Sequence, residues 1–180
     1  MEFLQLVNER ESTRRYADRP VEIEKIDAIL EACRLAPSAC NSQPWKFVMI
    51  TDRDLSLELA NATFSQVLQF NRFTVQAPVM AVLVMEPARM LSQIGSTVKD
   101  KDLSLIDTGI VAEHFCLAAA ELGLGTCMLG WFNEKKVRQL LHIPKGKRIP
   151  LIITLGYPAD QKKRRKIRKS TEEIRSFNRY

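Results

Sequence analysis

Apolar side chains recur at helical spacing through Ile23, Ile26, Ile29, Leu30 and Cys33, which predicts a helix over about 22–35. Pro37 ends it, because proline disfavours helical geometry in the residue before it. Phe3, Leu4, Leu6 and Val7 give a shorter amphipathic helix over 2–9. Largely apolar stretches at 47–51, 79–84 and 151–156 read as buried strands, the second of them a continuous apolar run typical of a strand covered on both faces. A further short strand is expected within 124–132, opening into a glycine-containing turn, and a helical stretch over about 55–70. From Ser104 to Leu122 apolar residues surround most of a helix circumference, which marks a core or subunit-interface helix. Ser104 and Asp107 resemble a capping box at its start, and Gly123 is placed to end it. Asn133 is placed to cap a helix over 134–141. The segment 87–102 has poor periodicity and reads as a surface excursion or lid. Strands interleaved with helices give an α+β or α/β layered domain.

Composition narrows the class. A chain of 180 residues fits one domain, and at that size about 70% of the unfolded surface can be buried. The hydrophobic fraction of 46% is ordinary for a globular protein. Apolar runs fall short of the roughly 20 residues that cross a bilayer, and no secretory leader is visible, so neither membrane insertion nor secretion is expected. Cys33, Cys40, Cys116 and Cys127 show no CxxC spacing. With two histidines they form no metal set, and free thiols in a cytoplasmic protein are the expectation. His114 and His142 read as structural. The formal charge of +6 is concentrated in the run Lys162-Lys163-Arg164-Arg165-Lys166-Ile167-Arg168-Lys169. That run is either a solvated tail or part of a site for a small anion. Nucleic acid is not expected, because no recognition helix or aromatic platform accompanies the charge.

Two polar motifs carry the chemistry. In Arg10-Glu11-Ser12-Thr13-Arg14, alternate positions of an extended segment face one side, so Arg10, Ser12 and Arg14 can converge on one ligand. Arginine suits phosphate because its planar fork donates two parallel hydrogen bonds. A solvated turn with arginine paired to Glu9 or Glu11 satisfies the same residues. In Pro37-Ser38-Ala39-Cys40-Asn41-Ser42-Gln43-Pro44-Trp45, small residues let backbone N–H groups approach a ligand; a well-capped connection is the plainer alternative. Together with the basic end of the chain, the motifs point to a phosphorylated planar cofactor.

Those motifs, with Ala77-Pro78, Ala119-x-x-Leu122-Gly123-Leu124-Gly125-Thr126-Cys127, Leu155-Gly156-Tyr157-Pro158 and Lys166-x-Arg168, resemble in order the small FMN-dependent nitroreductases. The resemblance implies a nitroreductase-like α+β fold, a central mixed β-sheet flanked by helices, and an intertwined homodimer with FMN at the interface. It implies that Arg10, Ser12 and Arg14 hold the phosphate, ribityl chain and pyrimidine edge. Lys166 and Arg168, in a basic C-terminal extension over 160–180, would approach the same phosphate. Pro37, Ser38, Ala39, Cys40 and Asn41 would come from the other subunit. Asn71 would lie near the flavin-edge amide, with Met128, Gly130 and Trp131 behind and beside the ring. Hydride would pass from NAD(P)H through flavin N5 to an electron-poor acceptor such as a nitroaromatic or quinone. No catalytic side chain and no metal is expected, because the cofactor carries the chemistry. The same fold could instead serve a flavin-dependent dehydrogenase or dehalogenase of a small metabolite, or a non-catalytic flavin-binding protein. Two residues depart from the family pattern. Glu11 puts a carboxylate near the phosphate unless it turns away or pairs with Arg15. Trp131 stands where glycine is common and would narrow the pocket or stack on substrate.

Overall fold

A computed structural model describes residues 2–87, 102–160 and 164–180. The lid expected at 87–102 lies almost wholly outside the described residues. Four strands, β1 (Trp45–Ile50), β2 (Val79–Met85), β3 (Gly125–Leu129) and β4 (Leu151–Gly156), form one sheet in the order β1-β2-β4-β3. All three ladders are antiparallel. The parallel component among the described residues is an isolated bridge between Ser12 and Thr126 at the outer edge of β3.

Strand alternation sorts the core into two layers. Met80, Val82 and Val84 of β2, with Ile152 of β4 and Leu129 of β3, pack on one face around Leu59 and Val137. That face is covered by α3 (Arg53–Ala60) and α5 (Glu134–Leu140). Val79, Ala81 and Leu83, with Ile153 and Leu155, pack on the other face around Ile26, Ile29, Val111 and Phe115. There α2 (Ile23–Arg34) lies against α4 (Leu103–Glu121), and Phe115 stacks on Phe47 of β1 at 5.5 Å between ring centroids. Every residue from Val79 to Val84 is buried, as its unbroken apolar run predicts.

Several helix ends follow the sequence closely. Gly123 takes φ 75, while its N–H bonds Ala120 O and Leu124 N–H bonds Ala119 O, the Schellman arrangement. The Asn133 side chain accepts from Lys136 N–H. Two expectations are corrected. The helix placed over 55–70 runs from Arg53 to Ala60, capped by Asp52, and gives way to turns followed by a 3-10 segment, Arg72–Gln76. Thr63 Oγ1 donates to Ala60 O at 2.8 Å, which turns the chain there instead of propagating the helix. The cap of α4 is Asp102, accepting from Leu105 N–H, and not Ser104. By length and mean hydropathy alone α4 would pass as a bilayer span, a test that core helices also pass; its buried stripe is packed against the sheet and α2.

A surface clasp joins α2 to the ends of α4 and β4. Tyr157 OH donates to Glu22 Oε2 at 2.6 Å, while Lys25 Nζ donates to Tyr157 OH at 2.8 Å and to Leu122 O at 3.0 Å. The Arg19 guanidinium lies 3.8 Å from the Tyr157 ring centroid. The Tyr157 hydroxyl first, then backbone and Arg19 donors, hold the Glu22 carboxyl down from 4.5 to about 2. A depressed acid stabilises the fold above its unfolded value, and that contribution disappears as pH falls through the folded value. Glu22→Gln is therefore expected to flatten the stability profile between about pH 4.5 and 2. The effect should be small and salt-sensitive because the carboxylate is exposed. Denaturant melts across that range check it; parallel profiles would remove the clasp from the acid limb.

Candidate functional site

The segment 10–16 lies along the outer edge of β3. Thr13 N–H donates to Thr126 O at 2.8 Å, and Thr13 is buried. Tyr16 secures the segment from below: its hydroxyl donates to Thr13 O at 3.0 Å and lies 2.7 Å from Thr154 Oγ1. Burial pushes the Tyr16 phenol well above its ordinary value, so it stays a neutral donor. With Thr13 turned in, its neighbours Ser12 and Arg14 turn out, as strand alternation requires.

Both extremities of the chain meet there. A cleft of about 320 Å³ is lined by Arg10, Arg14, Arg164, Arg165, Lys166 and Arg168, together with Ser12, Ile167 and Glu11. The tail is held against the N-terminal segment: the Arg164 guanidinium donates to Ser12 O, and Lys166 Nζ donates to Val7 O at 2.8 Å. Glu11 pairs with Arg164 at 3.5 Å rather than with Arg15, which pairs with Asp160 at 2.8 Å. Six cations therefore surround one carboxylate, itself already partnered. Arg10 is the most committed of them. Its Nε is buried with no hydrogen-bond partner among the described residues, and its nearest anion, Glu113 Oε1, stands 3.8 Å away. An orphaned, buried guanidinium nitrogen in a cationic cleft is what an anionic ligand satisfies.

The second group of predicted residues sits at the other end of β3. The outward Thr126 carbonyl fixes the phase of the free edge, so the backbone of Met128 also faces out. Met128, Gly130 and Trp131 are exposed, and Trp131 meets Phe70 at 6.5 Å between ring centroids. Asn71 is buried, and its side-chain amide donates to Thr63 O at 3.1 Å and Trp131 O at 3.0 Å, which fixes the turn carrying Trp131. From Thr126 to Gly130 the edge covers about 13 Å at strand rise.

The third group lies apart. Pro37, Ser38, Ala39, Cys40 and Asn41 line no part of the cationic cleft of their own chain. Their loop stands against the first turns of α4, where Ala39 N–H meets the Asp107 carboxylate. Cys40, Asn41 and Gln43 all have left-handed backbone, with φ of 53, 49 and 47. The sequence reading gave Asp107 only a capping role; the signal for its contact with the loop was an acid in register with the buried Val111, Phe115 and Ala119. It missed Thr13 and Tyr16, whose hydrogen bonds to Thr126 O, Thr13 O and Thr154 Oγ1 hold the arginine-bearing segment on the sheet edge.

Neither histidine stands at the cleft: His114 Nδ1 lies 2.9 Å from Ile110 O on its own helix. Burial pushes the Cys33 and Cys116 thiols up to about 12 and raises Cys127 as well, so these are not nucleophiles at neutral pH.

The chain as a whole is similar to known proteins. A sequence model of the Nitroreductase family matches residues 7–157. A relative from Archaeoglobus fulgidus, with a provisional name coupling NADH dehydrogenase and NAD(P)H nitroreductase, is 35% identical over 89% of this chain and 88% of its own. An oxygen-insensitive NADPH nitroreductase from Helicobacter pylori is 26% identical over 84% of this chain and 85% of its own. Among solved structures, an FMN-dependent nitroreductase from Clostridium difficile superposes with a TM-score of 0.80 at 26% identity, covering 99% of this chain and all of the other. A nitroreductase family protein from Clostridium novyi gives 0.79 at 31% identity, over 89% and 87%. The family match takes in the Arg10–Arg14 segment, the 37–45 loop and the whole of β3, and on that ground the chain belongs to the nitroreductase family.

Proposed function

We propose that this protein is an oxidoreductase that binds FMN between two copies of the chain and passes hydride from NAD(P)H to an electron-poor acceptor such as a nitroaromatic or quinone. The observation that carries this reading is the meeting of Arg10 and Arg14 with Lys166 and Arg168 in one cleft at the start of β3. A phosphate monoester carries about −1.5 to −2 charges, which suits a cleft with a large cationic excess. Arg10, with its unpartnered Nε, would hold that phosphate, and Ser12 and Arg14 would hold groups further along the cofactor. Met128 and Gly130, further along the same strand edge, would stand beside the ring. When bound, the isoalloxazine ring supplies reversible hydride chemistry at N5, and the protein supplies orientation and exclusion of water. The 37–41 backbone would complete the site from the partner subunit.

Purified protein is expected to be yellow and to release FMN on denaturation, and NADH or NADPH should bleach the bound flavin in the absence of oxygen. Colourless protein that also takes up no added FMN would end the proposal. Bound flavin that neither nicotinamide reduces would make it a flavin-binding protein and not an oxidoreductase.

Trp131 would contact the acceptor. It is 59% exposed beside Phe70, in the turn that Asn71 holds. Trp131→Gly is expected to raise the KM for a planar aromatic acceptor by about 2–12-fold, the range for one lost aromatic contact, with a smaller change in FMN affinity. Steady-state kinetics and a flavin titration check this together. The reverse pattern would move Trp131 out of the acceptor pocket.

A further inference from the structure

Asp107 heads a buried stripe on α4 that continues at four-residue spacing through Val111, Phe115 and Ala119. Only 3% of it is exposed, and a carboxylate is costly to bury there unless hydrogen-bonded. Both of its oxygens accept from one donor, Ala39 N–H, at 3.0 and 3.2 Å. Ala39 opens the 3-10 turn, Ala39–Asn41, in the 37–45 loop.

Left-handed backbone at Cys40, Asn41 and Gln43 costs on the order of 1 kcal/mol or more per residue and persists only where the surroundings over-determine it. Part of that determination is internal: Ser38 Oγ accepts from Gln43 N–H at 2.9 Å, and the Gln43 amide donates to Asn41 Oδ1 at 2.7 Å. Those bonds shape the loop without attaching it to the domain. Attachment comes at its two ends, from Asp107 to Ala39 N–H and from Glu86 N–H to Pro44 O at 3.1 Å. The loop lines no part of its own chain's cationic cleft, and in the flavin reading above it serves a second copy instead.

We propose that Asp107 is a positioning residue that fixes the 39–43 backbone, left-handed at Cys40, Asn41 and Gln43, and thereby completes the flavin site of the partner subunit, not the site of its own chain. The inference rests on the flavin reading above. Asp107→Ala is expected to weaken FMN about tenfold or more, since it removes a charge-assisted hydrogen bond at the base of the loop. Asp107→Asn keeps an acceptor oxygen facing Ala39 N–H and is expected to recover most of that loss. Should Asp107→Ala fail to fold, Asp107→Leu, which suits the buried stripe, carries the same test.

The decisive measurement uses dimers with two different tags, one chain carrying Asp107→Ala and the other Arg10→Ala. In such a heterodimer one site combines an intact Arg10 with a loop held by an intact Asp107, and the other site carries both defects. At an FMN concentration that leaves both variant homodimers largely empty, each doubly tagged dimer should hold one flavin. An empty heterodimer would mean that Asp107 serves its own chain's site, and would overturn the inference. So would unchanged FMN affinity in the Asp107→Ala homodimer. Wild-type protein that binds no FMN would fail the flavin reading itself, a result distinct from either.

Discussion

Replacing Arg10 with alanine is expected to weaken FMN binding by about 1.5–3 kcal/mol, roughly 10–150-fold, the range for a hydrogen bond to a charged group. Arg10 is singled out by its surroundings. Arg14, Arg164 and Arg168 are exposed, so water competes for their guanidinium groups, whereas Arg10 has a buried Nε without a hydrogen-bond partner among the described residues. Glu113 is a weak competitor, 3.8 Å away and half-exposed. Riboflavin provides the control, because it lacks the phosphate. Arg10→Ala should abolish most of the preference for FMN over riboflavin and leave riboflavin affinity nearly unchanged. Arg10→Lys should recover only part of the loss, since an ammonium keeps the charge without the bidentate fork. Fluorescence titrations with both flavins read the outcome. Equal losses for the two would mean that Arg10 supports the fold of the cleft and does not bind phosphate.

The cleft was legible in the sequence because its cations are unusual where they stand. Alternation in Arg10-x-Ser12-x-Arg14 and the density of the basic tail needed only proximity, and the tail does lie on the N-terminal segment. β2 was equally plain, since burial on both faces leaves an unbroken apolar run, and β4 departs from that pattern only at Thr154 and Gly156. What escaped was set by side-chain to backbone bonds that have no period. Thr63 and Asn71 bond carbonyls, and in doing so convert a plausible helix into turns. Ser104 and Asp107 have cap-like spacing, but Asp102 takes the cap and leaves Asp107 to hold Ala39. Local sequence offered Arg15 as the partner of Glu11, whereas the actual partner, Arg164, is 153 positions away.

The closest packing behind the site is also the place where one methyl group should matter most. A Cβ on Gly125 would stand 2.3 Å from Thr13 Oγ1, 2.7 Å from its Cβ and 2.8 Å from its Cγ2. Gly156, opposite in the ladder, is equally confined: a Cβ there would stand 2.6 Å from Pro78 Cδ and 2.9 Å from Tyr16 Cδ1. This glycine pair is what lets the 10–16 segment lie flat on the sheet edge. Gly125→Ala should therefore cost about 1–3 kcal/mol of stability through overpacking. It should also weaken FMN, because displaced Thr13 loses its bond to Thr126 O and carries Ser12 and Arg14 with it. Thr13→Gly removes all three opposing atoms, so the double variant should be more stable than the sum of the single losses predicts, with a coupling of at least about 0.5 kcal/mol. Gly146→Ala, with no atom within 4 Å of the added methyl, should leave both properties unchanged. Urea melts and flavin titrations on the four proteins test the cycle. Strict additivity would mean that the strand edge and the arginine segment are not in contact, and would separate the phosphate cleft from the sheet that is argued to support it.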